Sequence, residues 1–398
     1  MQKYANGRLL VWGSDIERGT IDQALRATSL PFVPGHVALM PDAHVGIGAT
    51  VGSVIPTEGA IVPSFAGVDL GCGMIATQTI YTADHLPDNL DKLMPLVAKG
   101  IPAGVGKSHE AGYRDGYRDV FGLLGEPFTE LTAKQQTTAI RQFGTLGSGN
   151  HFVEVSLDEN RNVWTVLHSG SRGIGNQLAT AHIGKAKGVM KQLFITLDDP
   201  NLAYFAEGTP EFDAYIKDML WAQRYAYESR ARMNKVLLKS LAKVLDPAER
   251  TRTSPERQIA VQTINSHHNY TEREHHLGRD LWITRKGAIK ADADDMGVIP
   301  GSMGTDSYIV RGKGNPAAYN SSSHGAGRRL SRGQAKRTLD RKVFTDMMAG
   351  KTWNSTQAAA LLDEAPGAYK DIRQVMADQT DLTEIVHTLH QVFSYKGV

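Results

Sequence analysis

The sequence predicts an α+β fold, and three observations support that prediction. Between residues 36 and 80, short apolar runs alternate with glycine turns, a pattern typical of closely spaced strands. Strand-like runs return at HFVEVSL, VWTVLHSG, LWITRKGAI and SYIVRG. Residues 210–246 carry apolar side chains at three- and four-residue spacing, which predicts a long amphipathic helix. Because no repeat of fixed period and no pronounced linker interrupts this pattern, we expect one domain over residues 1–398.

Less regular patterns predict the remaining elements, which follow in chain order. Residues 86–100 predict a helix with Leu93 and Val97 on one face. The glycine-rich stretch 103–127 predicts an exposed loop. The tail from 370 to 392 predicts another helix.

The bulk properties are those of an ordinary globular chain. Of the 398 residues, 41% are hydrophobic and 22% are charged, and a net charge of +2 is too small to indicate nucleic-acid binding by itself. Cys72 is the only cysteine, which excludes an intrachain disulfide and fits a reducing compartment. The sequence has no apolar run long enough to span a bilayer and no secretory signal pattern at its start. We therefore expect a cytoplasmic protein with no membrane partner.

Several metal-ligating residue types stand beside glycine at the ends of predicted strands. Asp69 and Cys72 are three residues apart across a glycine turn, so both can face one centre. A thiolate can bridge two divalent ions while carboxylate and imidazole fill the other positions, and this donor set suits manganese as well as zinc. Taken singly, each residue has a plainer explanation, since a lone cysteine is usually a small core residue and a lone histidine is usually structural. The histidines in such positions are His151, His168, His267, His268 and His324, whereas His44 and the others are interpreted as structural, His44 the least firmly.

Nine segments together resemble the signature blocks of the RtcB family of RNA ligases. They occur in the family's order between about residues 30 and 330, and the terminal SYKG resembles the family's carboxyl terminus. Several long blocks in register are far more specific than any single motif, and the chain is more similar to bacterial than to archaeal members. The segments are MPDAHVGIGATVGSVIP, GVDLGCGM, GTLGSGNHFVEV, LHSGSRGIGN, INSHHNY, TRKGAI, IPGSMG, SYIVRGKGN and SSSHGAGRRLSR.

The resemblance implies a metal-dependent fold and a ligand set. It implies an RtcB-like domain in which mixed and antiparallel sheets, surrounded by helices, form a central metal–nucleotide cleft. The cleft would hold two Mn²⁺ ions. The first ion would be bound by Asp69, Cys72 and His151, and the second by Cys72, His168 and His268.

The resemblance also implies catalytic and nucleotide-binding residues. His324 matches the histidine that becomes guanylylated, and Arg172 matches a residue that holds an RNA phosphate. The positions that match the family's contacts to the guanine nucleotide are Asn150, His151, Phe152, Val153, Glu154, His268, Asn269, Pro300, Gly301, Ser302, Met303, Ser307, His324, Gly325, Ala326, Gly327 and Lys396.

The implied activity is GTP-dependent joining of RNA ends, in RNA repair or tRNA splicing. An RNA 3′-phosphate, or a 2′,3′-cyclic phosphate after opening, would be joined to a 5′-hydroxyl. His324 would first take GMP from GTP, the 3′-phosphate would then accept it as an activated RNA-(3′)pp(5′)G end, and the 5′-hydroxyl would displace it. We expect a monomer, and the need for an archease-like activator stays open.

The chain departs from the family pattern at three places. Ile47 stands where lysine is common, Ser321–Ser323 stand where a cysteine is common, and the stretch 103–127 is dissimilar. None of these positions matches a ligand or the nucleophile, so the departures bear on substrate choice.

Two further segments could contact RNA. The basic run RRLSRGQAKR at 328–337 could bind phosphates, although a solvated helix face explains it equally well. Tyr113 and Tyr117, beside Arg114 and Arg118, could stack on bases.

Two rival functions fit the same residues. One is a metal-dependent phosphohydrolase that uses water as its nucleophile, and the other is an RNA-binding or scaffold protein without catalysis. A phosphate-binding loop at AGVGKS is excluded, because Ile101 stands where that motif requires glycine.

Overall fold

The fold is described by a computed structural model that covers residues 1–110, 119–246 and 258–398. Its strands, in chain order, are β1 (Gln2–Tyr4), β2 (Leu9–Val11), β3 (Val37–His44), β4 (Val51–Thr57), β5 (Ala60–Ile61), β6 (Gly73–Thr82), β7 (Phe152–Leu157), β8 (Asn162–Ser169), β9 (Phe205–Ala206), β10 (Ala260–His267), β11 (Asn269–His276), β12 (Arg279–Lys286), β13 (Ala288–Lys290), β14 (Met296–Ile299), β15 (Ser307–Gly312), β16 (Ser321–Ser323), β17 (Thr352–Trp353) and β18 (Thr383–Lys396).

The α-helices are distributed along the whole chain. They are α1 (Arg18–Thr28), α2 (Leu93–Gly100), α3 (Val120–Leu124), α4 (Ala133–Gln142), α5 (Arg172–Gln192), α6 (Pro210–Leu245), α7 (Arg332–Thr338), α8 (Arg341–Met347) and α9 (Ile372–Ala377). Single 3₁₀ turns occur at Ala5–Gly7, Pro63–Phe65, Ala83–His85, Pro200–Leu202, Pro316–Ala318, Ser355–Gln357, Leu362–Glu364 and Pro366–Ala368. Within these described ranges, no helix is both long and apolar enough to cross a bilayer.

Two large sheets organise the molecule. The first has the order β1-β2-β3-β4-β12-β11, in which β2 and β3 are parallel and the other neighbours are antiparallel. The second has the order β10-β6-β8-β7-β18-β15-β14 and is antiparallel, with β17 joined in parallel to β18. The short pairs β5–β9 and β13–β16 complete the strands. This mixture of sheets and helices confirms the predicted α+β class.

The long helix α6 packs against the second sheet. It begins after Thr209, whose hydroxyl accepts the N–H of Phe212 at 3.3 Å and so caps the first turn. Leu237 and Leu241 are fully buried in one cluster with side chains of β6, β7 and β8. The helix predicted over 210–246 is therefore confirmed, and its apolar stripe forms the core on one face of the sheet.

Two predicted helices have the wrong extent. The tail predicted as helix over 370–392 is helical only in α9, and from Thr383 onward it forms the strand β18. This segment is rich in β-branched and aromatic residues, and it pairs with β7 on one side and β15 on the other, so two ladders of hydrogen bonds outweigh the apparent helical spacing. The helix predicted over 86–100 begins only at Leu93.

The stretch 103–127 is only partly the exposed loop that was predicted. Its later part forms α3, in which Val120 is fully buried and Asp119 caps the helix by accepting the N–H of Gly122. Tyr113, Arg114, Tyr117 and Arg118 lie outside the described residues.

The second sheet brings the predicted ligands to one of its ends. Cys72 directly precedes β6 and His151 directly precedes β7. His168 is the penultimate residue of β8, His268 follows β10, and Lys396 ends β18. Because these neighbouring strands are antiparallel, the starts of β6 and β7 meet the ends of β8, β10 and β18. Residues far apart in sequence therefore face one region of space.

Candidate active site

The five predicted metal ligands converge around one sulfur atom. The Sγ of Cys72 lies 3.4 Å from Nε2 of His151 and 3.2 Å from Nε2 of His168. Nε2 of His268 is 3.2 Å from Nε2 of His168, and Oδ2 of Asp69 is 3.2 Å from Nε2 of His151. The sulfur thus lies between an aspartate–histidine pair on one side and a histidine pair on the other.

The hydrogen bonds around the cluster leave metal-coordinating lone pairs facing its centre. Nδ1 of His168 lies 3.0 Å from the carbonyl oxygen of Asn150, so that nitrogen carries the proton and Nε2 presents a lone pair to the cluster. Nδ1 of His268 is buried and has no hydrogen-bond partner among the residues that the structure describes. A thiol, a carboxylate and imidazole lone pairs that face one small volume are a fitting donor set for divalent cations.

Burial sets the charges of these groups. It lowers the pKa of His151, and burial together with neighbouring imidazoles lowers the pKa values of His168 and His268 well below the ordinary value, so the rings are neutral. Burial and the charge of Asp69 raise the pKa of the Cys72 thiol. Burial would also raise the pKa of Asp69, but the hydrogen bond with His151 and the positive charge of Arg172 outweigh it and lower that pKa to about 2. A bound cation would favour the thiolate that bridging requires.

A buried arginine, Arg230 of α6, braces the loops that carry these ligands. Its Nη1 donates to the carbonyl oxygens of Gly71 at 2.7 Å and Ser169 at 3.0 Å, next to Cys72 and His168. Sequence reasoning missed Arg230, because it stands within an ordinary amphipathic helix. The ring of His267, with a pKa lowered to about 3 by burial and by Arg230, faces the same Gly71 carbonyl at 2.8 Å and is turned away from the cluster.

The predicted nucleophile, His324, is held by an aspartate that the sequence analysis did not name. Asp42 is fully buried, and its Oδ2 lies 2.6 Å from Nδ1 of His324. The same oxygen accepts the backbone N–H groups of His324 at 3.1 Å and Gly325 at 3.3 Å. Nδ1 therefore carries the proton and donates it to Asp42, which leaves the lone pair of Nε2 available for attack.

A local signal could have identified Asp42. It stands in PDAHVG two residues before His44, the histidine held least firmly as structural. His44 indeed lines the active-site cavity, with Nδ1 3.1 Å from the carbonyl oxygen of Asp42 and a pKa lowered to about 4 by burial. The loop around His324 closes on the same segment, because a Cβ at Gly327, whose φ is +74°, would lie 2.1 Å from that carbonyl oxygen.

A cavity of about 360 Å³ adjoins the cluster and His324, a size within the range of nucleotide-sized ligands. Among the predicted residues, those that line it are Asp69, Cys72, Asn150, Phe152, Glu154, His168, His268, Asn269, Pro300, Gly301, Ser302, Met303, Ser307, His324, Gly325, Ala326, Gly327 and Lys396. The exceptions are His151, Val153 and Arg172. The side chain of Val153 packs in the core on the other face of β7, as strand alternation requires.

Arg172 lies behind the cluster, not on the cavity wall. Its Nη1 is 3.0 Å from Nδ1 of His151, and the residue begins α5 with a φ of +58°, a strained conformation for arginine. Gly147 makes room for the guanidinium, because a Cβ there would lie 1.8 Å from Nη2 of Arg172. The structure therefore holds Arg172 in a specific, costly position beside a predicted ligand.

A buried carboxylate–lysine pair also lines the cavity. Nζ of Lys396 donates to Glu364 at 2.7 Å, and the hydroxyl of Tyr369 donates to the same carboxylate at 2.8 Å. The charge of Lys396 also acts on Glu154, but burial outweighs it and raises the pKa of Glu154 to about 8. The sequence analysis named Lys396 and Glu154 but missed Glu364, which no nearby motif signals.

Three of the five basic residues in the run 328–337 contact acidic side chains within the protein. Arg328 lies 3.4 Å from Glu364, Arg332 lies 2.7 Å from Asp363, and Lys336 lies 3.4 Å from Asp363. These contacts hold α7 against the 3₁₀ turn Leu362–Glu364. Two carboxylates do not offset five basic side chains, so the run keeps a net positive charge, and these contacts do not decide between phosphate binding and a solvated helix face.

The departures from the family pattern lie near the cavity. Ile47 is on its rim and is 73% exposed, whereas Ser321–Ser323 are buried in β16. Lys286, which was not predicted, also lines the cavity. Its Nζ donates to the carbonyl oxygens of Ile47 and Ser64, and burial lowers its pKa to about 8.

Comparisons with known proteins agree with the resemblance seen in the motifs. The family described as “tRNA-splicing ligase RtcB” matches residues 23–397. The RNA-splicing ligase RtcB of Escherichia coli strain K12 is 41% identical over 405 aligned residues, which cover 98% of each chain. The tRNA-splicing ligase RtcB of Nanoarchaeum equitans is 29% identical, over 96% of this chain and 92% of that protein.

Proposed function

This chain belongs to the RtcB family, and from that premise we propose that it is an RNA ligase. We propose that one domain, residues 1–398, joins RNA 3′-phosphate or 2′,3′-cyclic phosphate ends to 5′-hydroxyl ends with GTP and manganese, in RNA repair or tRNA splicing. The observation that carries the proposal is the buried Asp42–His324 pair beside the cluster around Cys72. A scaffold has no need of an imidazole oriented in this way, whereas a hydrolase could use the same pair as a general base on water, so a histidine–GMP adduct is what distinguishes the ligase.

The cavity supports a guanine nucleotide as the first substrate. Glu154, protonated at neutral pH by its raised pKa, can donate to a base acceptor, and the Lys396 ammonium lies beside it. At the other end, the small residues Gly325 and Ala326 let a phosphate approach His324 closely. The base would therefore lie near Glu154 and the phosphates near His324.

His324 carries the first step of the proposed reaction. Its Nε2 attacks the α-phosphorus of GTP, a nitrogen–phosphorus bond forms, and the bond to the leaving pyrophosphate breaks. The ring gains positive charge as this happens, and the Asp42 carboxylate on Nδ1 stabilises that charge.

The second and third steps transfer and release GMP. An oxygen of the RNA 3′-phosphate attacks the phosphorus of the adduct, and the bonding pair returns to Nε2 of His324. The RNA 5′-hydroxyl oxygen then loses its proton and attacks the activated 3′-phosphorus, and GMP leaves. Arg172 has the planar fork that suits an RNA phosphate, but its guanidinium lies against His151 outside the cavity, so it would have to turn toward the cavity to contact the phosphate.

The predicted ligands would hold two divalent ions, Asp69, Cys72 and His151 the first, and Cys72, His168 and His268 the second. Bound there, such ions would stabilise negative charge on phosphoryl oxygens as Lewis acids. The chain's own contribution is to keep the imidazoles neutral by burial and to fix the loops through Arg230.

Incubation with GTP labelled in its α-phosphate, together with Mn²⁺, tests this proposal. The unmodified protein and His275→Gln, a change at an exposed histidine, should become labelled, and His324→Ala should not. RNAs with 3′-phosphate, cyclic phosphate or 3′-hydroxyl ends, offered with GTP or ATP, then define the ligation. Label on His324→Ala, or phosphate hydrolysis without any adduct, would exclude the proposed mechanism. Sizing of the same purified protein tests the expected monomer, and ligation with and without an archease-like protein tests the need for an activator.

A further inference from the structure

Helix α5 carries positive charge away from the active site. It contains Arg172, Lys185, Lys187 and Lys191 and no acidic residue. Arg172 begins the helix beside the metal-ligand cluster, and Ile183, near its middle, lines the active-site cavity. Lys187 and Lys191 follow Ile183 at intervals of four residues, so the three side chains share one face. This face, called here the α5 face, therefore leads from the cavity toward the end of the helix.

A second cavity lies at the end of the α5 face. It has a volume of about 420 Å³, and Lys187 and Lys191 lie on its border, the latter roughly 12 Å along the helix from Ile183. The charge of Lys185 is offset by Glu211 at 3.6 Å. Lys187 donates to the amide oxygen of Asn201 at 2.8 Å, and among the described residues it forms no ion pair. The other residues of this groove that matter here are Met190, Phe194, Ile195 and Leu197.

Phe194 has a conformation and an exposure that packing does not explain. The helix ends in a Schellman motif, in which the N–H of Ile195 donates to the carbonyl of Met190 at 2.9 Å and the N–H of Phe194 to that of Lys191 at 3.2 Å. Phe194 occupies the left-handed position of this motif, with a φ of +56°, where glycine is usual. Its side chain is 95% exposed. The ring adds no packing within the chain in return for this strained conformation and is free to contact a ligand.

Two glycines lie beside the α5 face, each one residue after Ile183 or Lys187 and so about 100° further around the helix. Gly184 and Gly188 lie in the helix interior, where glycine weakens a helix, and a Cβ at either position would meet no atom within 4 Å. By contrast, a Cβ at Gly175 would lie 1.9 Å from Oγ of Ser171, so that glycine is required by packing. Packing within the chain thus does not require glycine at positions 184 and 188. A ligand backbone that approaches the helix closely would explain both glycines.

We propose that the α5 face and its groove bind single-stranded RNA adjoining the reacting end. Phe194 stacks on a base, and Lys187 and Lys191 contact the phosphates that lead toward the cavity. A cationic track with an aromatic platform is the combination by which proteins hold single strands. This inference rests on the proposed ligase function, since only an RNA whose end reacts in the cavity has reason to continue along the helix that borders it.

Equilibrium binding of fluorescent single strands to the full-length protein, without GTP, tests the inference. The strands are RNAs of about 12 nucleotides that carry either a 3′-phosphate or a 5′-hydroxyl at the reacting end, and these two arms identify which strand uses the groove. Phe194→Gly removes the ring while suiting the backbone, so it preserves the fold. It should weaken binding of one strand about 5- to 100-fold, whereas Phe194→Tyr should bind nearly as the unmodified protein does.

The lysines are tested by salt dependence. The double variant Lys187→Gln and Lys191→Gln should reduce the slope of log Kd against log salt concentration by about 0.7 per lysine, and Lys92→Gln, at an exposed position on another part of the chain, should not. Labelling by GTP needs no RNA and should be equal in all of these proteins. If these variants are labelled equally and bind both strands as the unmodified protein does, the proposal that the α5 groove binds RNA is overturned. If the unmodified protein is not labelled, the ligase proposal itself is overturned.

Discussion

The imidazole rings of His268 and His324 lie 4.7 Å apart, edge to face, so the predicted metal cluster and the predicted nucleophile share one wall of the cavity. Asp42 holds His324 from the other side, and Cys72 joins His268 to the remaining ligands through His168. Orientation of the nucleophile and charge stabilisation by bound ions are therefore neighbouring but separate functions, and substitutions can distinguish them.

Substitution of Asp42 by asparagine should impair the nucleophile without removing it. The amide of asparagine can donate to Nδ1 of His324, which moves the proton to Nε2 and blocks attack. We expect protein–GMP formation to slow by about 10²- to 10⁴-fold, as when other histidine bases lose their carboxylate partner. Single-turnover labelling measures this rate, with Asp84→Asn at an exposed site as the control. An unchanged rate would show that Asp42 does not orient the ring.

Cys72→Ser should lower the metal content of the protein. A serine hydroxyl stays protonated where a thiolate would bridge, so we expect fewer than two bound ions per chain by elemental analysis. Metal-dependent thermal stabilisation should also decrease, because an ion that binds only the folded state adds to its stability. In the cobalt-loaded protein, the sulfur-to-metal charge-transfer absorption should disappear. Full occupancy in Cys72→Ser would contradict the bridging role, and His275→Gln serves as the control.

Gly147→Ala should displace Arg172 and separate the RNA steps from guanylylation. The added Cβ would lie 1.8 Å from the guanidinium, and Gly147 also has a φ of +89°. We expect GMP transfer to the RNA 3′-phosphate to fall at least about tenfold, while self-labelling by GTP changes little. Gly106→Ala is a matched control, since Gly106 has a φ of +68° and open space around it. Equal losses in both variants would assign the effect to backbone strain.

Glu154 should make the nucleotide-free protein less stable as pH rises. Burial raises its pKa from 4.5 to about 8, so the folded protein holds this proton more tightly than the unfolded chain does. Its contribution to stability is complete below pH 4.5 and is lost progressively toward pH 8. Glu154→Gln removes this dependence and should raise the free energy of unfolding on the order of 3 kcal/mol at pH 8, measured by urea titration. The same variant should bind GTP more weakly. A pH profile identical to that of the unmodified protein would contradict the burial argument.

Lys396→Met should destabilise the end of the chain. Lys396 and Glu364 are both buried and lie 2.7 Å apart, so removal of the lysine leaves a buried carboxylate. Arg332 and Tyr369 still contact Glu364, which limits the expected loss to about 1–3 kcal/mol. Adding Glu364→Gln should recover part of that loss, and urea unfolding of the single and double variants measures both. A neutral effect of Lys396→Met would show that the pair contributes nothing to stability.

Local patterns identified most of the fold and much of the site. Glycine turns after short apolar runs located β6, β7 and β8 and the ligands at their ends, since each ligand lies within a few residues of a strand boundary. The prediction of a helical tail was wrong because Thr383–Lys396 acquires its strand conformation from β7 and β15, which are distant in sequence. Val153 lies in a recognised motif, yet strand alternation turns its side chain into the core.

By itself, the sequence determined the α+β class and the family, and its contiguous motifs contain the residues that we propose as metal ligands and as the nucleophile. Only the tertiary structure decided which residues from other parts of the chain contact the side chains of those motifs. Asp42 on His324, Arg230 under the ligand loops, Glu364 on Lys396 and Gly147 around Arg172 are all contacts across long sequence separations. They depend on how strands and helices pack, and packing is a property of the whole chain that no local pattern contains.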